Sequence, residues 1–268
     1  MKNLIITALL LFCVNANAWP QSQPLPQSHC AVHNPWGFPQ TTGFSTICRQ
    51  GYFVGYDDSS KIPKFVTYEL TPNHTLGCVV RTNAFVADQS IQGGATPEDY
   101  NGTNYDRGHQ APDGDLDWDT QTEHESFLMT NMAPQAGSFN RGIWKLLETS
   151  VRGWALQLNQ PFVIYVGTLY SSKDKKIGKG VVVPHGFYKI VINEKTSEFS
   201  AWEFPHISPY PSLGNDLTKF RVTFDKIQKD SGIIFILPKN AKELPVGKEW
   251  PIDFGKLTKS KQTTCKIK

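Results

Sequence analysis

Apolar positions along the chain change rhythm several times, and each rhythm predicts an element. "YFVGYD" and "KFVTYEL" alternate apolar and β-branched residues on either side of Asp57 to Lys61, which predicts two strands around a turn. A further strand is expected near Cys78 to Val80, and "FLMTNMAPQ", Phe127 to Gln135, begins as a buried strand that stops at Pro134. In "FNRGIWKLLETSVRGWALQL" the residues Ile143, Leu147, Val151, Trp154 and Leu158 recur at steps of four, four, three and four, one face of an amphipathic helix. Downstream, "PFVIYVGTLY", "GVVVPHGFYKIVI", "SEFSAWEF" and "GIIFILP" read as strands, and "TFDKIQKDSG" as a short helix ended by Gly232. Residues 19 to 50, rich in Pro, Gln and Ser, carry little periodicity and read as an irregular N-terminal arm, with one domain expected over residues 51–268. The mixture predicts an α+β domain with a substantial sheet.

The first residues change the picture of where the protein works. "MKNLIITALLLFCVNANA" has a basic start at Lys2, an apolar run from Leu4 to Val14, and Ala16 and Ala18 at the minus three and minus one positions of a cleavage site. That reads as a secretory signal peptide over residues 1–18, too short to span a membrane; Phe12 argues against lipid attachment at Cys13. The expected mature chain starts at Trp19 and is secreted or periplasmic. No later stretch approaches 18 consecutive apolar residues.

Charge and cysteines narrow the classes further. The chain has 27 basic and 24 acidic residues, and only Lys2 among them lies in the leader. Near neutrality argues against coating nucleic acid through bulk charge, and the clusters at Lys173, Lys175, Lys176 and Lys179 and from Lys256 to Lys268 have a solvated surface as their bland reading. Of five cysteines, Cys13 lies in the leader, and four remain, which suggests two disulfides in an exported chain. The expected pairs are Cys30 with Cys48, closing a Pro- and Gly-rich segment with little core, and Cys78 with Cys265, pinning the tail. A zinc site lacks support from any CxxC or HxxxH spacing.

"NYDRGHQAPDGDLDWD", residues 104–119, sets Asp106, Arg107, Gly108 and His109 against a run of aspartates. Asn140, Glu148 and Arg152 lie along the predicted helix, within an arc of about 120° beside the apolar stripe. A histidine oriented through one ring nitrogen can take a proton from water through the other, a contribution of roughly 10² to 10⁴ in rate. Phosphodiester hydrolysis needs more, which a hard cation on one neutral oxygen such as the Asn140 amide, with arginines as fixed donors, would supply. Each residue alone has a structural reading: a surface or core histidine, a helix N-cap, a surface ion pair.

Together, "DRGHQAP", "TNMAPQ" and "FNRGIWKLLE", followed by "FRVTFDKIQKDSG", resemble the DNA/RNA non-specific endonuclease family, over roughly Tyr52 to Pro238. The resemblance implies a ββα-metal (His-Me finger) core inside a larger mixed α/β domain with a central, largely antiparallel sheet. It implies Mg²⁺-dependent cleavage of DNA and RNA to 5′-phosphorylated products, with Mn²⁺ as a substitute ion. His109 would be the general base, Asn140 the single protein ligand to Mg²⁺, Glu148 the residue that positions metal-bound waters, and Arg152 a support on the phosphate side. Arg107 and Arg81 resemble the family's other functional arginines, and Asp106 and Asn131 its supporting residues. Asp113, Asp115, Asp117 and Asp119 read as solvated loop charge, since Trp118 and His124 stand where an EF-hand wants Gly and Glu. The partners implied are DNA and RNA, with no membrane; a homodimer and a protein inhibitor stay open. The competing readings are a catalytically silent nucleic-acid-binding module of the same fold and a zinc hydrolase using His109, His124 and aspartates.

Overall fold

A computed structural model describes residues 21–40, 42–207 and 216–266; the leader read over residues 1–18 lies outside them. In chain order the strands are β1 (Ser45–Cys48), β2 (Phe53–Asp57), β3 (Ile62–Leu70), β4 (Tyr105–His109), β5 (Met132–Ala136), β6 (Phe162–Leu169), β7 (Lys176–Ile177), β8 (Val181–Val182), β9 (Gly186–Asn193), β10 (Glu198–Pro205) and β11 (Lys242–Glu243). The helices are α1 (Asp113–Leu116), α2 (Thr120–Ser126), the single turn α3 (Gly137–Phe139), α4 (Lys145–Leu158), α5 (Phe224–Ser231) and α6 (Phe254–Cys265), with a π turn over Asn140–Trp144 between α3 and α4. No described helix is long and apolar enough to cross a membrane.

Seven strands form one sheet in the order β1-β2-β3-β6-β9-β10-β11, antiparallel except for the last pair. β6 and β9 are buried at every position, so both faces of the sheet must be covered. Alternation sends Val166, Val191 and Trp202 to one face, where they pack with Ile143, Leu147, Val151 and Trp154 of the helical segment. Tyr165, Tyr188 and Ile190 go to the other, where Phe199, Ile227, Ile233 and Phe235 close the layer with Cys30 and Cys48. The predicted helical stripe is therefore the buried one; α4 ends where Asn159 adopts a left-handed conformation at φ 52°. β4 and β5 pair apart from the sheet as a two-stranded ribbon, which with α4 gives the ββα unit. This is the fold class expected from the sequence.

Several elements differ from expectation, each because tertiary partners satisfy the backbone. Cys78 to Val80 is not a strand: Val79 N–H bonds the Asp117 carbonyl at 2.9 Å, and Val80 is exposed. "GIIFILP" alternates buried Ile233, exposed Ile234 and buried Phe235, but it joins no ladder. Its backbone instead meets side chains, Phe235 N–H donating to Gln228 (3.1 Å) and Ile236 C=O accepting from the Tyr165 hydroxyl (3.0 Å). The strand expected from Phe127 begins at Met132 and runs through Pro134, which a two-stranded ribbon tolerates because a proline there forfeits only one donor. Within the segment read as irregular, β1 forms an edge of the main sheet.

Both expected disulfides are present, Cys30–Cys48 and Cys78–Cys265. The second fastens α6, whose buried side chain is Leu257 and whose Lys261 pairs with Asp117, so part of the lysine-rich tail is a docked helix. Replacing Cys78 and Cys265 by Ser is expected to cost about 2–4 kcal/mol of unfolding free energy, read from urea midpoints, because the crosslink closes a long loop in the unfolded chain. A midpoint equal to wild type would show that α6 is held without it.

Candidate active site

In β4, alternation puts Arg107 and His109 on one side, and Phe85 packs against both, 5.3 Å from the guanidinium and 5.7 Å between ring centroids. Gly108 faces the other way, where a Cβ would run into the Gln135 side chain; that contact requires the glycine of the motif. Asp106 Oδ2 accepts the Asn140 Nδ2–H at 2.9 Å, and its carboxylate accepts Arg141 Nη1–H at 2.7 Å. These bonds stitch the ribbon to the π turn. With Nδ2 committed, the Asn140 amide presents its Oδ1, which takes part in none of the described hydrogen bonds. Asn131 acts on the other end of the ribbon: its amide spans Ala111 N–H (2.9 Å) and Ala111 C=O (2.8 Å) and also bonds Ser126 C=O (2.9 Å). Asp106 and Asn131 thus stand behind the site as holders of its backbone and of Asn140.

Arg81, Arg107, His109, Asn140, Glu148 and Arg152 line one cleft of about 420 Å³. The 120° arc assumed an unbroken α-helix; the chain instead leaves helical geometry at Gly142, so Asn140 sits on its own turn and reaches the same cleft. Arg141, Lys145 and Asp113 line it as well. Arg141 and Lys145 escape the sequence reading, although they follow Asn140 at spacings of one and five. Five cations therefore face two carboxylates, Asp113 and Glu148, an arrangement that concentrates an anion in the cleft.

The aspartate run is not solvated loop charge. Asp113 Oδ2 accepts Arg81 Nη1–H at 2.9 Å; buried Asp115 accepts Arg152 Nη1–H at 2.6 Å and the Tyr68 hydroxyl at 2.8 Å; Asp117 pairs with Lys261; Asp119 caps α2. The first three find their partners on other elements, information that local spacing does not carry. Gly114 lies under Arg152, with 3.2 Å from an added Cβ to Nη1.

His109 is 9% exposed and meets Phe127 edge-on at 5.0 Å. Burial, aided by the nearby Arg81 charge, lowers its pKa to about 3, so the imidazole is neutral at ordinary pH. Its Nε2 is sealed without a hydrogen-bond partner among the described residues, so any exchange with the cleft runs through Nδ1. Burial moves Glu148 the other way, up to about 7, against the pull of Lys189 and Arg152. Among the described residues, no group of three or more His, Cys, Asp or Glu side chains could hold a metal, which removes the support for a zinc centre built on His109, His124 and aspartates. One neutral amide oxygen in a water-accessible, mixed-charge cleft fits a hard divalent ion that keeps most of its water.

Comparison with known proteins gives consistent relatives. A family model described as DNA/RNA non-specific endonuclease matches residues 31–241. The chain is 28% identical over 234 residues to "Nuclease EXOG, mitochondrial" of Xenopus laevis, covering 81% of this chain and 64% of that protein. It thus spans less than two thirds of that relative's length. It is 29% identical over 246 residues to "Nuclease" of Serratia marcescens, covering 87% and 88%. A crystal structure of the EndoG/EndoGI complex, described as showing the mechanism of EndoG inhibition, superposes with a TM-score of 0.72 at 26% identity, covering 82% of this chain and 97% of that one.

The depressed pKa of His109 gives an expected pH dependence. The unfolded chain binds a proton at this histidine near pH 6.5 and the folded one only near 3, so stability falls as pH drops below 6.5. His33, lowered to about 4 by burial, adds in the same direction. In a ¹⁵N spectrum the His109 ring is expected to stay neutral down to pH 5; a midpoint near 6.5 would refute the burial account.

Proposed function

The chain belongs to the DNA/RNA non-specific endonuclease family, and from that premise we propose that it is a Mg²⁺-dependent endonuclease that hydrolyses DNA and RNA to 5′-phosphorylated products. The observation that carries the reading is one cleft holding a neutral histidine, an uncommitted amide oxygen and five cations. A nucleic-acid backbone is the polyanion such a cleft fits.

His109 takes a proton from water at Nδ1 as the water oxygen bonds phosphorus and the bond to the 3′ oxygen breaks; that oxygen is protonated from solvent. In the free protein the Arg81 charge opposes an imidazolium. A bound phosphate offsets that charge, so the ring becomes more basic when substrate is present. Mg²⁺ on Asn140 Oδ1, or Mn²⁺ in its place, would neutralise a phosphate oxygen and acidify bound water. Glu148 accepts hydrogen bonds from water beside Asn140. Arg152, held by Asp115, and Arg107, held by the Pro97 carbonyl at 2.9 Å, present fixed donors to the phosphate. Such contacts read the backbone and carry no base information, which accounts for action on DNA and RNA alike.

Two disulfides support an exported protein in an oxidising compartment, secreted or periplasmic. A protein inhibitor is a further expectation, supported by the similarity to EndoG in its complex with EndoGI.

Digestion of supercoiled plasmid and of RNA by the mature protein, with Mg²⁺ and with chelator, tests the reading. Mg²⁺-dependent degradation is expected, lost by about 10² or more in His109→Ala. Cutting by His109→Ala at the wild-type rate would remove His109 as the base, and intact substrates under all conditions would sink the nuclease reading. Substrate affinity is expected to fall steeply between about 50 and 200 mM salt; an unchanged affinity would contradict backbone binding.

A further inference from the structure

Strand β9 directs Phe187, Lys189 and Val191 to the sheet face that carries α4, and across the ladder Lys189 stands opposite Val166 and Trp202. Lys189 is fully buried. A cation therefore occupies a position where the alternation calls for an apolar side chain. Its ammonium lies 4.6 Å from the Trp144 ring centroid and has no hydrogen-bond partner among the described residues. Burying an ammonium this way is costly, and the cation–π contact offsets only a small part. A fold that keeps it needs another electrostatic return.

The charged groups facing Lys189 are Glu148 and Asp115, which favour its charge, and Arg152, which opposes it. Asp115 is already engaged by Arg152 at 2.6 Å and by the Tyr68 hydroxyl at 2.8 Å. Glu148 follows Trp144, the ring under which the ammonium lies, by one helical turn on the same face, and is the acid left for the lysine. Seen from Glu148, burial disfavours the anion; Lys189, Arg152 and Trp144 favour it, Lys189 most; Asp115 opposes it, and Tyr68 lies within the same field. Lys189 does not line the cleft, whereas Glu148 does.

We propose that Lys189 is a positioning residue: a countercharge sealed beneath α4 that supports the carboxylate Glu148 presents to the cleft. The inference rests on the nuclease reading for its activity arm alone. Where Glu148 is protonated, the lysine is a net cost to the fold; where Glu148 is charged, the lysine repays that cost. A lysine serving as apolar filler through its methylene chain would behave the same at every pH.

Thermal unfolding of metal-free Lys189→Met, of matched length and no charge, separates the two. Glu148 holds its proton more tightly folded than unfolded, so its contribution to stability declines as pH rises from 4.5 through about 7. Losing Lys189 extends that decline upward. At pH 5 the variant is expected to match or exceed wild type in Tm, and at pH 8 to fall below it; the double variant Lys189→Met/Glu148→Gln is expected to remove this crossover. In plasmid cleavage, the acid limb of kcat/KM is expected to move up by about one pH unit in Lys189→Met and to stay in place in Lys189→Arg. If Lys189→Met does not fold, Lys189→Gln carries the same outcomes. An equal change in Tm at pH 5 and pH 8, with the acid limb unmoved, would overturn the proposal. Were the wild-type chain to cut nothing, the nuclease reading would fail while the crossover in Tm still decided Lys189.

Discussion

A sheet that is apolar on both faces cannot meet water on either, and the rest of the molecule is arranged around that constraint. Because β6 and β9 are buried along their whole length, one face needs α4 and the ribbon, and the other needs α5, the N-terminal segment and the unpaired chain through Ile233 and Phe235. Polar groups that belong to the covered face have to be sealed in with their counterparts. Asp115, Tyr68 and Lys189 are sealed between sheet and helix, with Arg152 and Glu148 joining them from the edge of the cleft. The cleft opens at the margin of this layer, where the ribbon and the π turn meet without closing over it.

The same layer sets how the chemistry is presented. The Asp106 to Asn140 hydrogen bond both joins two elements and decides which end of the amide faces out, because the donor end turns toward the carboxylate. The Asp115 to Arg152 bond does likewise for a guanidinium, fixing its plane at the wall of the cleft. An arginine without such an anchor would sample many rotamers, and its ordering would be charged against substrate binding. The carboxylates of Asp106 and Asp115 thus remove freedom from the groups in front of them.

How much of this the sequence carries depends on how local each signal is. Strands β2 and β3, helix α4 and helix α5 follow from period two, period 3.6 and end signals such as Gly232, which act over a few residues. The strand through Pro134 and the ladderless "GIIFILP" escape local rules because distant partners, Arg107 on the neighbouring strand and the side chains of Gln228 and Tyr165, decide them. His109, Asn140, Glu148 and Arg152 are legible as an ordered set of motifs. The aspartates are not, since Tyr68, Arg152 and Lys261 reach them from other elements. Lys189 does leave a trace in "GFYKIVI", one charge inside an apolar strand, but its meaning needs Trp144 and Glu148 on the facing helical segment.

The Cys78–Cys265 bridge has one more consequence, for how the chain would respond to a cut in its backbone. It joins the loop just ahead of Arg81 to the end of α6, so the ribbon, α4, strands β6, β9, β10 and β11 of the main sheet and every cleft residue lie inside a covalently closed ring. A cut in any exposed loop within that ring, such as residues 171–176, leaves a single molecule whose two pieces cannot diffuse apart. Separation of the two pieces then requires either a second cut or reduction of the bridge.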